Sequence, residues 1–284
     1  MLEREELIEQ AYLYKMLSER IPQGIPLQEV LEQVCEESLA TTKLPLAIDY
    51  LLGELRYYGV MAPAMSHLNH YFTPFQTYLI EEAEQEGGRF DIRTAVEVLK
   101  CEVEYRTSEP SPAGLFLFQF ESLCRNRLSY DRGLKAISHD SFFEPSWQEW
   151  ILIVRRQIGI VDFADMVYVR SQHYYHRRFG QDSTEKPEQP ILFGTKEGKI
   201  AWANRKKDPL FLFAALQRQL GYPEVPRPKV FDDTPQVTAR LVRRMEQLEG
   251  RIQLLEEEQR GGIDLSNFFR GELPFPDSSD PPTG

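Results

Sequence analysis

The stretch YFTPFQTYLIEEAEQEGGRFDIRTAVEVLKCEVEY, residues 71–105, decides the fold of this chain. Its opening Tyr71-Phe72-Thr73-Pro74 and its internal Gly87-Gly88 pair delimit two runs whose apolar residues recur at helical spacing. Upstream, Gly24-Ile25-Pro26-Leu27 separates two further helical runs, and Gly59 stops another. Short helices in such close succession are typical of an antiparallel bundle.

Residues 1–106 are therefore predicted to form one helical domain. The predicted helices cover residues 5–19, 27–34, 47–55, 62–68, 75–83 and 91–105. The turns between them are predicted at Gly24, Pro26, Gly59, Phe72, Pro74, Gly87 and Gly88. We expect Gly59 and Gly88 to adopt positive φ, a conformation that glycine reaches without steric cost.

The order of these features resembles the cytoplasmic domain of the type II secretion F family, the platform proteins of type II secretion systems and type IV pili. The resemblance is carried by GIPLQEVL at residues 24–31, by Gly59 and Ala64, and by the stretch at 71–105. It implies a helical domain in the cytoplasm, held at the inner membrane through a partner. The partners it implies are components of the secretion or pilus machinery, such as its motor ATPase.

One feature of that family is missing from the sequence. Its platform proteins carry transmembrane helices after each cytoplasmic domain, whereas residues 107–112 of this chain read Thr-Ser-Glu-Pro-Ser-Pro. A membrane span needs a run of about 18 or more apolar residues, and the chain has none. We therefore expect a soluble protein and not a membrane platform.

Residues 113–230 are predicted to form a second, degenerate helical domain. Phe142-Phe143-Glu144-Pro145 repeats Tyr71-Phe72-Thr73-Pro74 at an offset of 71, and the F family likewise contains two homologous domains. Chance similarity of amphipathic helices is the alternative explanation. Within residues 190–204 we predict a small β-hairpin insertion, with strands at 191–193 and 199–203 and a turn at 195–198.

The C-terminal part is predicted to contain a coiled-coil helix over residues 234–260 and a disordered acidic tail over residues 261–284. The apolar residues of the helix repeat at spacings of four and three, at Leu241, Met245, Leu248, Ile252 and Leu255. This seam predicts a homodimer, with packing of the helix on its own chain as the alternative. The tail could dock on a partner through Phe268, Phe269 and Phe275.

Charge is distributed unevenly along the chain. Residues 1–110 carry 9 basic and 20 acidic residues (−11), residues 111–230 carry 18 and 13 (+5), and residues 231–284 carry 6 and 11 (−5). The net charge of −11 disfavours nucleic acid, whose phosphates need a basic face. The basic middle supports the alternative of a nucleic-acid-binding or regulatory protein. Its phosphate-facing residues would be Lys196, Lys199, Arg205, Lys206 and Lys207.

Histidines and carboxylates raise one more alternative, a metal-dependent helical-bundle enzyme. The candidate ligands are His67, His70, His173, His176, Glu102 and Glu104. The chain has no Glu-x-x-His motif, phosphate-binding loop or nucleophile elbow, and its three cysteines are widely spaced. We therefore expect no catalytic residues, no metal ligands and no cofactor. The primary hypothesis is a non-enzymatic adaptor or scaffold that acts through protein contacts.

The coiled-coil seam yields the first prediction. A lone helix of this length is marginal in water, so it must bury its apolar stripe. Replacing Leu248 and Ile252 together by Asp places two charges in that stripe and costs several kcal/mol. Light scattering at micromolar concentration should find the wild type as a dimer and the double variant as a folded monomer. A monomeric wild type and an unfolded variant would instead show that the helix belongs to the core.

Overall fold

The computed structural model describes residues 2–39, 41–85, 90–180 and 189–228. Within these ranges the chain is all-α, as predicted, and its contacts gather Met1–Lys229 into one compact unit. Val230–Gly284 form a second unit that lies outside the described residues. The coiled-coil helix, its dimer seam and the acidic tail therefore stay predictions.

The six helices predicted for the first part of the chain are confirmed. They are α1 (Arg4–Arg20), α2 (Leu27–Glu37), α3 (Leu44–Tyr58), α4 (Ala62–His67), α5 (Pro74–Glu84) and α6 (Ile92–Thr107), with a 3-10 turn at Ile21–Gln23. Seven more follow among the described residues: α7 (Pro112–Arg125), α8 (Tyr130–Ser138), α9 (Pro145–Gln157), α10 (Phe163–Val169), α11 (Gln172–Phe179), α12 (Thr195–Ala203) and α13 (Pro209–Leu220).

Local sequence explains where many helices begin and end. Proline, which has φ preset for a helix and no N–H to satisfy, is the first residue at Pro74, Pro112, Pro145 and Pro209. Thr73 and Gln76 form a capping box at the start of α5, because each side chain accepts the other residue's backbone N–H. Gly59 ends α3 with φ of +76°.

The predicted β-hairpin within residues 190–204 is wrong. Residues 195–203 form helix α12, and the described residues contain only isolated bridges and no strand. The buried residues of this segment, Glu197, Gly198 and Ala201, have helical spacing and cover one face. Gly198 is not a turn residue; a Cβ there would lie 2.2 Å from the Ser171 hydroxyl oxygen, so glycine permits close packing of α12 on the start of α11.

The predicted division at residues 107–112 is not confirmed as a domain boundary. Helices α6 and α7 pack on each other, and α5 packs on α8 across it. The Tyr78 hydroxyl donates a hydrogen bond of 3.1 Å to the Ser129 carbonyl, and Arg132 pairs with Glu81 and Glu82. The apolar core also continues through both parts.

A buried polar network joins the two parts more deeply than these surface contacts. Arg106 donates to Glu102 through Nε (2.9 Å) and Nη2 (2.8 Å), and Nη2 also pairs with Asp140. Gln119 of α7 and Gln76 of α5 each donate to Glu102, at 2.9 and 3.0 Å. Each of these five side chains is at least nine-tenths buried. Gln76 also donates to Gln10 (3.1 Å), so the network extends to α1.

Gly53, inside α3, and Gly59, the residue that ends it, test how backbone conformation alone affects stability. A Cβ at Gly53 or at Gly59 would meet no atom within 4 Å, so packing does not distinguish them. Gly59→Ala should lower the free energy of unfolding by about 1–2 kcal/mol because its φ is positive. Gly53→Ala should raise it by about 0.5–1 kcal/mol because Gly53 is inside the helix. Urea unfolding followed by circular dichroism measures both, and effects of the same sign would contradict this account.

The buried network predicts a large loss of stability when its cation is removed. Arg106→Leu leaves Glu102 and Asp140 buried without a counter-ion, which should cost about 3–5 kcal/mol. The control is Arg56→Leu, which breaks the exposed pair with Glu32 and should cost less than about 1 kcal/mol. Urea unfolding compares the two variants, and similar losses would show that the network contributes no more than a surface pair.

Candidate functional site

An open groove of about 520 Å³ lies between helices α10, α11 and α12, and we call it the Arg–Trp groove. It is lined by Asp165, Tyr168, Val169, Tyr174, Arg177, Arg178, Trp202 and Arg205. Ser171 positions α11 at one side by capping it, since its hydroxyl accepts the Tyr174 N–H. Helix α12 packs on α10, α11 and α13, which places Trp202 and Arg205 at the other side.

Trp202 is the centre of the groove. The residue is 38% exposed, and the Cζ atoms of Arg177 and Arg205 each lie 4.3 Å from its ring centroid. Tyr168 packs on the same indole with a centroid separation of 4.7 Å. Such cation–π contacts contribute about 0.5–1 kcal/mol each at exposed sites. They hold two guanidinium groups against an aromatic surface that solvent can reach.

The groove has a positive electrostatic environment. Residues 163–180 and 189–208 contain eight Lys or Arg and three Asp or Glu, a net charge of +5. Among the groove residues Asp165 is the one carboxylate, and it pairs with Arg205. Burial lowers the pKa of His173 below its ordinary value, and the positive charges of Lys199 and Arg177 lower it further. The cationic side chains of α11 and α12 therefore lie close enough to interact electrostatically.

The basic residues predicted for the hairpin wing occupy different parts of this surface. Arg205 lines the groove, whereas Lys196, Lys199, Lys206 and Lys207 are exposed on α12 and the turn after it. The sequence reasoning missed Arg177, Arg178, Tyr168 and Trp202 as members of one site. A usable signal was the Trp202-Ala203-Asn204-Arg205 spacing, which places an aromatic and a cation three residues apart.

The histidine pairs are not brought together with carboxylates. His67 Nδ1 lies 3.1 Å from the Tyr50 hydroxyl, and Glu102 is occupied by the buried network. In the part of the chain that the structure describes, no group of three His, Cys, Asp or Glu could hold a metal ion. Cys35, Cys101 and Cys124 are free thiols, and burial raises the pKa of Cys124 to about 12.

The other predicted site residues divide into two sets. Gly24 (φ +79°), Pro26, Gly59, Phe72 and Pro74 lie at helix boundaries. Residues outside the described ranges are Gly87, Gly88, Leu241, Met245, Leu248, Ile252, Leu255, Phe268, Phe269 and Phe275.

Comparison with known proteins found no family model, no curated protein and no solved structure that matches this chain. The resemblance to the type II secretion F family accordingly rests on the sequence features alone. None of the helices in the described ranges combines the length and the apolar character that a membrane span requires.

Proposed function

We propose that this protein is a non-enzymatic binding protein whose Arg–Trp groove holds a short segment of single-stranded nucleic acid. The observation that carries the proposal is that Trp202 is 38% exposed and has the guanidinium groups of Arg177 and Arg205 against its ring. Proteins that bind single strands combine a basic groove with aromatic side chains on which bases stack.

The three guanidinium groups of the groove supply the phosphate contacts. Arg177, Arg178 and Arg205 present planar N–H donors, and guanidinium geometry matches phosphate oxygens in pairs. Asp165 neutralises one of these charges, which leaves a surplus of two in the groove itself. The exposed lysines of α12 and of the turn after it extend the positive surface.

The aromatic side chains favour single strands over a duplex. Trp202, which is 38% exposed, offers ring surface to an unstacked base, and the buried Tyr168 supports its indole from behind; a duplex does not expose such bases. The rest of the chain is strongly acidic, because residues 1–110 alone carry a net charge of −11. A long duplex would meet that repulsion, whereas a few nucleotides fit within the basic surface.

A binding assay tests this proposal. Fluorescence anisotropy with fluorescein-labelled oligouridine should show saturable binding. The logarithm of the association constant should fall with the logarithm of salt concentration with a slope of about −1.4, because the surplus of two charges neutralises two phosphates. Stacking on an aromatic contributes about 1–3 kcal/mol per base, so Trp202→Leu should weaken binding at least fivefold. The matched control is Arg156→Gln, an exposed arginine of α9 outside the groove, which should leave binding unchanged.

Two competitors decide whether the site recognises nucleic acid. Unlabelled oligouridine should displace the probe, and a polyglutamate peptide of equal charge should do so far less well. Equal competition by polyglutamate, or unchanged binding by a folded Trp202→Leu variant, would show that the groove is a general anion-exchange surface and would contradict the proposal.

A second candidate function is the adaptor role, which an exposed apolar surface on α3 favours. Leu46, Tyr50 and Tyr57 recur at spacings of four and seven residues and are 74%, 41% and 82% exposed. In this proposal two F-family-like helical domains and the coiled-coil dimer hold secretion or pilus components, including the ATPase. The light-scattering comparison of the wild type with the Leu248 and Ile252 double variant tests its oligomer.

A further inference from the structure

A second cavity, of about 660 Å³, lies between the beginning of α1, the end of α6 and two turns. The turns contain Tyr71 and Phe142, which correspond to each other at the sequence offset of 71. The same offset relates Pro74 to Pro145 as first helical residues. The cavity therefore lies between two corresponding turns of the helical pattern, and its volume is within the range of small-molecule sites, about 300–1,000 Å³.

Arg106 provides a buried donor in the cavity wall. The side chain is 7% exposed and lines the cavity, and its Nε and Nη2 atoms are used by Glu102 and Asp140. No hydrogen bond from Nη1 to a described residue is formed. Because a guanidinium presents N–H donors at every nitrogen, Nη1 is the donor that a bound molecule can use.

The charges around Arg106 favour a neutral ligand. Arg106 contributes +1, while Glu102 and Asp140 contribute −2, so the buried group is net negative. At the rim Arg4 and Glu109 have opposite charges. An anionic ligand would meet two buried carboxylates next to the Arg106 donor, at low effective dielectric. A neutral acceptor, such as a carbonyl oxygen, accepts the hydrogen bond without that repulsion.

The remaining wall suits an apolar body. Leu7, Phe72 and Pro74 line the cavity with Phe142, whose ring centroid lies 5.7 Å from the Arg106 Cζ atom. Apolar walls with a few placed polar groups are the usual composition of small-molecule sites. We infer that this cavity binds a small neutral molecule with an aromatic or aliphatic body and one carbonyl-type acceptor that receives a hydrogen bond from Arg106. The site is separate from the Arg–Trp groove and does not depend on the proposed function.

The experiment uses prodan, a neutral naphthalene with one ketone, and its analogue 2-dimethylaminonaphthalene, which lacks the ketone. Titration of the full-length protein into prodan should shift its emission to shorter wavelength with a micromolar Kd. The analogue should bind at least fivefold more weakly because it cannot accept the Arg106 hydrogen bond. The anionic dye 1-anilinonaphthalene-8-sulfonate should also bind more weakly than prodan.

Substitutions that fill the cavity locate the site. Ser141→Trp and His70→Trp each enlarge an exposed cavity-lining side chain and should weaken prodan binding at least tenfold. Gln28→Trp, on the exposed face of α2 and outside the cavity, is the matched control. Circular dichroism melts establish which variants fold. If Ser141→Trp does not fold, the prodan affinity of His70→Trp alone tests the location of the site.

Four results would overturn the inference. These are no prodan binding by the wild type, equal binding of the ketone-free analogue, tighter binding of the anionic dye, and unchanged prodan binding by a folded cavity-filling variant. The inference is supported if the folded cavity-filling variants bind prodan more weakly than the wild type and the wild type binds prodan more tightly than its ketone-free analogue.

Discussion

The ion pair of Arg106 with Glu102 and Asp140 is the interaction on which the packing of this protein depends. All three side chains are at least nine-tenths buried, and a buried charge without its partner costs a large part of a domain's whole stability. Gln76 and Gln119 donate to Glu102, and Gln76 also donates to Gln10, so the network reaches three further helices. The network favours the arrangement of these helices in which Glu102 and Asp140 both keep Arg106 as their counter-ion.

The network also explains why the chain before and after residues 107–112 packs as one unit. Glu102 and Arg106 lie on α6, whereas Asp140 follows α8 and Gln119 lies on α7. Separating the two parts would expose the apolar core between them and leave buried charges unpaired. The cavity beside Arg106 arises from the same junction, because the two corresponding turns meet there.

The Arg–Trp groove arises where the second part of the chain departs from the first. Asp91 and Asp162 correspond at the offset of 71, and each caps a helix by accepting the N–H two residues on. The helix after Asp91 has 16 residues, whereas the helix after Asp162 has 7. The chain after the short helix enters α11 and α12, and these supply the arginines and Trp202. The candidate binding surface is therefore shared between α10, which contributes Asp165, Tyr168 and Val169, and the chain after it, which contributes the arginines and Trp202.

The sequence by itself determined the helical class, the first six helices and their ends, because proline starts, side-chain caps, glycine stops and apolar spacing depend on neighbouring residues. It also determined the basic character of the middle segment, which is a matter of composition. Only the tertiary structure decided that residues 195–203 are helical, since that helix is stabilised by packing Ala201 against distant helices. It alone brought Arg177 to Trp202, and Arg106 to Asp140, because contacts between residues 25 or more positions apart are not encoded in any local pattern.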